Sequence, residues 1–589
     1  MARSKRPMLV LIFVAIICTA NSLPTVIDPI LGTLLGTVQT STSTKTSEAF
    51  LGMPFAIPPL GARRFAPAQL WAQEYPQNTT YDTFGDDCYQ GNSPPDPSHP
   101  AQSEDCLTIN VWRPSTSTSA AQSEESLSVL VWIYGGGFQA GSAAVRWYNG
   151  AAMAANQNVI VVSLNYRVGA LGFLASKEID TLWHKGNGGL NGIHDQIVGL
   201  QWVHNYIKSF GGDPSSVTIM GQSAGGESVC VLSLAPPAKG LFQRAIVQSG
   251  PCAFSYWQAQ NATFALALGK MVFDANNVTT IAELQQLPVA DITWPDGPSS
   301  SQFFNGYFAP DGYVLPHTAE AMLTGEGGSS NINPTDMIVG TNSMDGTLTF
   351  VYGGLRVPVV WFHYNWRMRK LYNPTSIPPS TTSPRAKSVL DQYPLSRFNS
   401  TTYNGASYAY IRSDSDRALV CPSKTLATAF ANGIKGRVYH YVYEYGPSLS
   451  TCDIVHTTNP ICPRDEILHW ASHGQENRLV FGTENGPDEI SSPSLEKHCP
   501  LTGKDLALSL SMQTMWADFA KHGVPSTTWP SVVTTPGNAT EMATMRIGLD
   551  GGVVVNYREA DCLFWQTWNE KYGGNQEGVR MEEVDRVDL

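Results

Sequence analysis

Charged side chains are scarce in this 589-residue chain. They make up 15% of it, and 37 Lys and Arg are outnumbered by 49 Asp and Glu. A nucleic-acid partner would require clustered basic residues that neutralise phosphates, so the formal net charge of −12 argues against one. Hydrophobic residues reach 42%, with 15 Trp and 23 Tyr, which excludes wholesale disorder and indicates a globular protein with much buried surface.

Metal-binding motifs are also missing. No two of the 10 Cys have CxxC spacing, and the segment between His469 and His473 lacks the Glu of a HExxH zinc motif. We therefore predict no metal site. The sequence also contains no internal repeat of the kind that indicates a solenoid or propeller.

Long apolar runs are confined to the N terminus. A basic segment that ends at Arg6 precedes an apolar run from Met8 to Ile17, and small residues follow it. This pattern predicts a secretory signal peptide over residues 1–22, with a membrane anchor as the alternative. No later segment has 18 uninterrupted apolar residues, so we expect a soluble mature chain without stable membrane insertion.

Glycosylation sequons and cysteines fit a secreted protein. Five acceptor asparagines occur, at Asn78, Asn261, Asn277, Asn399 and Asn538. Cys18 leaves with the predicted signal, and the odd number of remaining cysteines predicts at least one free thiol or an intermolecular bridge. We expect secretion; the ER lumen is the alternative, because residues 586–589 are similar to a retrieval signal but have Asp where Glu is expected.

Runs of β-branched and aromatic residues predict buried parallel strands. The clearest are residues 126–134 and 158–166, and further strands are predicted at 215–221, 244–250, 335–340 and 438–446. Apolar residues recur every three or four positions over 193–207, which predicts a helix. The alternation of strand and helix predicts an α/β fold with a large, mostly parallel twisted sheet and helices on both faces.

A nucleophile elbow is predicted at Gly221-Gln222-Ser223-Ala224-Gly225. This G-x-S-x-G pattern follows a predicted strand and precedes a predicted helix, which is the context that exposes a serine hydroxyl. The glycine run 135–137 ends another predicted strand and can offer backbone N–H groups to an oxyanion. We assign the oxyanion hole to the N–H groups of Gly136, Gly137 and Ala224.

Several longer segments carry a family resemblance. They are FLGMPFAIPPLGARRFAP (50–67), SEDCLTINVWRP (103–114), VWIYGGGFQAGS (131–142), LNYRVGALGFL (164–174), FGGDPSSVTIMGQSAGG (210–226) and DCLFW (561–565). Together they resemble the type-B carboxylesterases, a family that also contains cholinesterases and fungal lipases. The resemblance implies a single α/β-hydrolase domain over residues 23–572. The segment after Tyr572 is charged and contains Gly, which predicts a poorly ordered tail over 573–589.

The resemblance also implies a catalytic triad. Ser223 is the nucleophile, and His473, in a HGxE motif, is the general base. Asp345 is the acid, in a motif of the form G-x-N-x-x-acid-G where the family usually has Glu. The order Ser, acid, His along the chain is that of α/β-hydrolases. Gln222 is a second departure, because many relatives have Glu before the serine.

Disulfides can be assigned only in part. The resemblance implies Cys88–Cys106 and Cys421–Cys562 bridges. Five cysteines remain, and their pairing stays open: Cys230, Cys252, Cys452, Cys462 and Cys499. Among them we expect Cys452 to pair with either Cys462 or Cys499.

These features predict a serine carboxylesterase that acts on a small-molecule ester and needs no cofactor. The segment between Cys88 and Cys106 lacks the Trp that cholinesterases present to a quaternary ammonium, and it is too short for a lipase flap. The alternatives are a lipase-like member of the family and a non-catalytic adhesion or binding protein. Nothing in the sequence indicates the oligomeric state.

Overall fold

The fold is known from a computed structural model. It describes residues 23–40, 45–77, 79–90, 100–115, 126–255, 262–293, 309–325, 332–347, 361–374, 376–398, 405–446, 471–483, 501, 503–533 and 542–572. The predicted signal peptide and the predicted tail lie outside these ranges, as do Asn78, Asn261, Asn399, Asn538 and His469.

The described strands form one large sheet and two small ones. The strands are β1 (Thr25–Asp28), β2 (Gly32–Leu35), β3 (Thr37–Thr40), β4 (Thr46–Pro54), β5 (Asp87–Cys88), β6 (Gln102–Ser103), β7 (Thr108–Pro114), β8 (Leu127–Ile133), β9 (Ile160–Leu164), β10 (Gly212–Gln222), β11 (Arg244–Gln248), β12 (Asp336–Asn342), β13 (Val438–Tyr443), β14 (Ala543–Ile547) and β15 (Gly552–Val555).

Within the described residues the large sheet has 11 strands in the order β15-β14-β13-β12-β11-β10-β8-β9-β7-β4-β3. The strands from β14 to β9 in this order are parallel, while β15 at one edge and β7, β4 and β3 at the other pair antiparallel. The mostly parallel sheet predicted from the sequence is therefore confirmed, with antiparallel strands added at both edges.

Helices connect the parallel strands. They are α1 (Ala151–Gln157), α2 (Gly169–Phe173), α3 (Lys177–Trp183), α4 (Asn191–Tyr206), α5 (Ala224–Leu234), α6 (Ala262–Ala275), α7 (Ile281–Gln286), α8 (Ala319–Thr324), α9 (Trp361–Tyr372), α10 (Pro384–Gln392), α11 (Gly405–Ser415), α12 (Cys421–Gly433), α13 (Glu476–Phe481), α14 (Gly503–His522) and α15 (Glu559–Tyr572). A π-helical turn, Asp416–Val420, joins α11 to α12. None of the described helices is both long and apolar enough to cross a membrane.

Both faces of the sheet are buried, because successive side chains of a strand point to opposite faces. In β8, Val129 and Val131 belong to one apolar cluster with residues of α4, α5 and α12. Leu130 and Trp132 belong to a second cluster with residues of α1, α13 and α14. The predicted arrangement of helices on both faces is confirmed, and it explains why the parallel strands have continuous apolar runs.

Three disulfides occur among the described cysteines. The structure joins Cys88 to Cys106 and Cys421 to Cys562, as the family resemblance implied. It also joins Cys230 in α5 to Cys252 after β11, a pair that the sequence left open. The expected pairing of Cys452 with Cys462 or Cys499 lies outside the described residues.

Candidate active site

The predicted glycine run, Ser223 and Asp345 follow the carboxyl ends of the parallel strands β8, β10 and β12, at the edge where α/β sheets bind ligands, and His473 lies in the segment just before α13. Ser223 lies between β10 and α5 with φ 58° and ψ −129°. A non-glycine residue rarely adopts positive φ, and this conformation is typical of a strained nucleophile elbow. Small neighbours are required here, because a Cβ at Gly225 would lie 2.0 Å from the Ile133 carbonyl oxygen.

The glycine loop after β8 leaves its amides available. Among the described residues, none accepts a hydrogen bond from the backbone N–H of Gly136, Gly137 or Ala224. Gly136 has φ 125°, and a Cβ there would lie 2.1 Å from the Ala140 carbonyl oxygen, so only glycine fits. Backbone donors of this kind can stabilise an oxyanion without reorganising.

Gln90, just after the first half-cystine, fixes the far end of this glycine loop. Its Nε2 donates to the Gly141 carbonyl at 2.6 Å, and the Gly141 N–H donates to its Oε1 at 3.1 Å. The sequence alone does not indicate this role of Gln90, because a side chain that pairs with a distant backbone has no local signature.

Asp345 and His473 are in direct contact. His473 Nδ1 lies 2.8 Å from Asp345 Oδ1, and the Asp345 side chain is fully buried. The two loops pair along their backbones: the Met344 N–H donates to the Ala471 carbonyl at 3.1 Å, and Met344 and Ser472 form an isolated bridge. This close pairing explains how an Asp, one methylene shorter than the usual Glu, reaches the imidazole.

The second carboxylate oxygen of Asp345 is also held. Ser249 Oγ and the Asn342 N–H both donate to Oδ2, each at 2.8 Å. The loop that carries Asp345 is anchored from the other side, because Gly346 N–H donates to Ser415 Oγ at 2.8 Å. Arg558, directly before α15, donates to the Ser343 carbonyl at 2.9 Å. The carboxylate therefore has one fixed orientation.

A second buried carboxyl lies beside this pair. Glu476 is fully buried, and burial raises its pKa to about 7, with a further contribution from the negative charge of Asp345. Its two oxygens accept hydrogen bonds, one from Asn342 Nδ2 and the other, at 3.3 Å, from Gln248 Nε2. The HGxE motif contained Glu476, but the sequence did not indicate its burial against Asp345.

The remaining ring nitrogen of His473 contacts an amide. Gln222 Nε2 lies 2.9 Å from His473 Nε2, whereas among the described residues no hydrogen bond joins Ser223 Oγ to His473. His473 is thus bounded by a carboxylate on one nitrogen and an uncharged amide on the other. The sequence identified Gln222 as a departure from the family but not as a partner of the histidine.

Other predicted sites have different outcomes. In the described part of the chain, no three His, Cys, Asp or Glu side chains converge as a metal ion would require. Asn277, the one sequon asparagine that the described ranges include, is exposed in the turn after α6. Its modification remains a prediction.

Comparison with known proteins agrees with the fold and the motifs. The sequence model of the carboxylesterase family matches residues 23–565. The chain is 32% identical to the acetylcholinesterase of Electrophorus electricus over 517 residues, 81% of this chain and 77% of that protein. It is 30% identical to the acetylcholinesterase of Bungarus fasciatus over 583 residues, 91% and 85% of the two chains. It is also 30% identical to the cholinesterase of Mus musculus over 564 residues, 89% and 84% of the two chains.

The family match spans nearly all of the chain after residue 22, and the large sheet is mostly parallel, as the alternation of strands and helices in the sequence predicted. The family resemblance and the fold class inferred from the sequence are thereby confirmed. The chain belongs to the carboxylesterase family and is a carboxylic ester hydrolase of the α/β-hydrolase fold.

Proposed function

We propose that this hydrolase is a secreted serine carboxylesterase in which Ser223, His473 and Asp345 form the catalytic triad. The observation that carries the proposal is the 2.8 Å contact between His473 Nδ1 and the buried Asp345 carboxylate. It lies next to an elbow whose serine has the strained backbone expected of a nucleophile. A carboxylate in this position holds the imidazole in the tautomer that leaves Nε2 free to accept a proton.

The reaction follows from these positions. Ser223 Oγ attacks the acyl carbon while its proton passes to His473 Nε2, and a tetrahedral oxyanion forms. The C–O bond to the alcohol breaks, and His473 returns the proton to the leaving oxygen. Water then attacks the acyl-enzyme with His473 again as base, which releases the carboxylic acid and restores Ser223.

The unpaired amides of Gly136, Gly137 and Ala224 support the oxyanion step. Three N–H donors that have no acceptor among the described residues can bind the negative oxygen as it develops. Loss of a single donor of this kind typically costs about 10²–10³-fold in kcat.

Secretion is part of the proposal. The apolar N-terminal segment supports it, as do the three disulfides, which form and persist in oxidising compartments. Retention in the ER lumen is the alternative. Small esters are the proposed substrates, because the segment between Cys88 and Cys106 is short and rich in proline.

Labelling with a fluorophosphonate, followed by mass spectrometry of the modified peptide, tests the triad. We expect one adduct on Ser223 in the wild type, and none in Ser223→Ala, because this reagent traps an activated serine. His473→Ala should also lose labelling, since Ser223 then lacks its base.

Ser215→Ala provides a matched control. Ser215 is an exposed serine at the other end of β10, and its replacement should leave both labelling and ester hydrolysis unchanged. An adduct on any serine other than Ser223 in the wild type would contradict the assignment.

A further inference from the structure

The contact between Gln222 and His473 has a definite hydrogen-bond direction. Asp345 is a carboxylate acceptor at Nδ1, so that nitrogen carries the proton of a neutral ring. The lone pair of the neutral ring is then on Nε2, so a group in hydrogen-bond contact with that nitrogen must be a donor. Only the NH₂ group of the Gln222 amide can be that donor, which agrees with the observed 2.9 Å contact between the two Nε2 atoms.

The protein holds the amide in this place. Gln222 is the last residue of β10, is 5% exposed, and pairs with Gln248 of β11 in the parallel register. Gly474, with φ 79°, lies against the other end of the amide, and a Cβ there would be 3.5 Å from Gln222 Oε1. The elbow on one side and the glycine on the other thus confine the amide beside the imidazole.

The charges around the imidazole come from neighbouring elements. Asp345, after β12, faces Nδ1, and Glu476 of α13 acts on the ring electrostatically when it is ionised. Glu227, in the first turn of α5, is a third buried acid, four positions after Ser223. An uncharged amide at position 222 therefore stands where one more carboxylate would favour the imidazolium.

We propose that Gln222 is a positioning residue that occupies Nε2 of His473 in the free enzyme and favours the neutral, proton-accepting imidazole. The inference rests on the proposed triad. With Gln instead of Glu at position 222, His473 stays unprotonated, and so able to act as general base, down to a lower pH. A carboxylate would favour the cation by charge, and an apolar side chain would donate no hydrogen bond to the neutral ring.

The amide must yield during the reaction. When an ester enters, His473 Nε2 must accept the proton of the Ser223 hydroxyl, so the Gln222 NH₂ group has to move away from it. Once His473 is an imidazolium, its Nε2–H is a donor, and the same amide can present Oε1 by rotation about its last torsion. Gln can therefore serve both protonation states, whereas a carboxylate serves only the cation.

The test is the pH dependence of the second-order rate of Ser223 phosphonylation by a fluorophosphonate, which reports the free enzyme without deacylation. We compare wild type with Gln222→Glu and Gln222→Met, which keeps the side-chain length. The midpoint on the acid side should rise by about 1 pH unit in Gln222→Glu, as expected for an adjacent opposite charge, and by less in Gln222→Met. Below both midpoints, Gln222→Glu should therefore react about tenfold more slowly than wild type.

Acid midpoints that stay at the wild-type value in both variants, with the adduct still on Ser223, would overturn the role of Gln222 and leave the triad intact. A wild-type adduct on another serine would instead overturn the triad. A purely structural role for Gln222 would lower the rate at every pH without moving the midpoint, and that result would also overturn the proposal. Thermal unfolding identifies any variant that fails to fold. If only one variant folds, its acid midpoint alone decides between these outcomes.

Discussion

Asp345 can be replaced almost without change in shape, and the structure predicts what that replacement does. An Asn at this position has one oxygen and one NH₂ group. The Asn342 N–H, which donates to Oδ2 at 2.8 Å, needs the oxygen, so the NH₂ group must face His473 Nδ1. The imidazole is then forced into the tautomer with its proton on Nε2, where it cannot accept the Ser223 proton.

Asp345→Asn should therefore lower kcat by about 10²–10⁴-fold, with little change in KM. Ser249→Ala is the matched control, because it removes one hydrogen bond to Oδ2 but leaves the contact with His473. It should cost less, on the order of tenfold, because a hydrogen bond to a charged group contributes about 1.5 kcal/mol or more, while the Asn342 N–H still holds Oδ2 and the tautomer of His473 is unchanged. Steady-state kinetics on a soluble ester measure both, and equal losses would contradict the tautomer argument.

Glu476 predicts a pH dependence of stability. Its folded pKa of about 7 exceeds its ordinary value of 4.5, so between these pH values the native state binds the extra proton. The contribution of Glu476 to the free energy of unfolding is then fully present below about pH 4.5 and falls by up to roughly 3 kcal/mol as pH rises through 7. Burial of the charged form causes the loss.

Glu476→Gln removes this titration. The variant loses stability at low pH, because its NH₂ group faces a donor from Asn342 or Gln248. Its deficit relative to wild type should shrink, or reverse, between pH 5 and pH 8. Denaturant unfolding of both proteins at several pH values measures the difference, and a deficit that stays constant with pH would contradict the assignment.

At the scale of elements, the sequence predicted the strands and helices that have a long or periodic apolar pattern and missed strands that lack one. The predicted strand at 126–134 became β8, Leu127–Ile133, and the predicted helix at 193–207 became α4, which ends at Tyr206 before a 3-10 turn closed by Gly211. The edge strands β3 and β15 have only four residues each and carry exposed side chains. β3 has no continuous apolar run and β15 has only three successive valines, which is too short a run to predict a strand.

The site divides in the same way. Ser223, Asp345 and His473 lie in motifs with recognisable local patterns, which the sequence displays directly. Gln90 and Ser249 act through contacts between segments far apart in the chain, so no local pattern marks them. The Cys230–Cys252 pair was open for a related reason: cysteine pairing depends on distances in the folded chain, not on spacing.

The disulfides differ in the length of chain that they close, which predicts their rank in stability. Cys230–Cys252 spans 22 positions, and Cys421–Cys562 spans 141. Loop-closure entropy in the unfolded chain gives about 3 kcal/mol for the first and about 5 kcal/mol for the second. The double Cys→Ala variant of Cys421–Cys562 should therefore lose more stability than that of Cys230–Cys252. The shift of the denaturant midpoint would measure the difference.

The shorter disulfide also lies within the catalytic frame. It links α5, which starts directly after Ser223, to the segment after Ser249, whose hydroxyl holds Asp345. Its double variant should therefore lose kcat as well as stability. A stability order opposite to the loop lengths would show that strain or packing, and not chain entropy, dominates these two bridges.

At the scale of the whole molecule, a fold shared with other proteins does not determine which substrate the protein hydrolyses. The relatives at 30–32% identity are named cholinesterases, and this chain shares their family. Substrate preference depends on particular side chains placed on the fold. The segment between Cys88 and Cys106 contains no Trp, so one element that would bind a quaternary ammonium by cation–π contact is missing from it.

A choline ester and its uncharged isostere separate two sources of preference for a cation. The net charge of −12 attracts a cationic ester at long range, but salt screens this attraction, and the Debye length falls to about 3 Å at 1 M. A desolvated cation–π contact is screened little and is worth about 2 kcal/mol, or about thirtyfold in kcat/KM. The two sources therefore differ in their response to salt.

We expect the ratio of kcat/KM for the choline ester over its isostere to stay well below about thirtyfold at low salt, because the contact that would produce such a preference is absent from the Cys88–Cys106 segment. The ratio should fall towards one at about 1 M salt, since only the long-range field of the negative molecule remains to favour the cation. Initial rates on both esters at increasing ionic strength measure it, with the neutral isostere as the internal control for effects of salt on the protein. A ratio near thirtyfold that survives high salt would require an aromatic cation site elsewhere in the chain and would assign this enzyme the substrate preference of its named relatives.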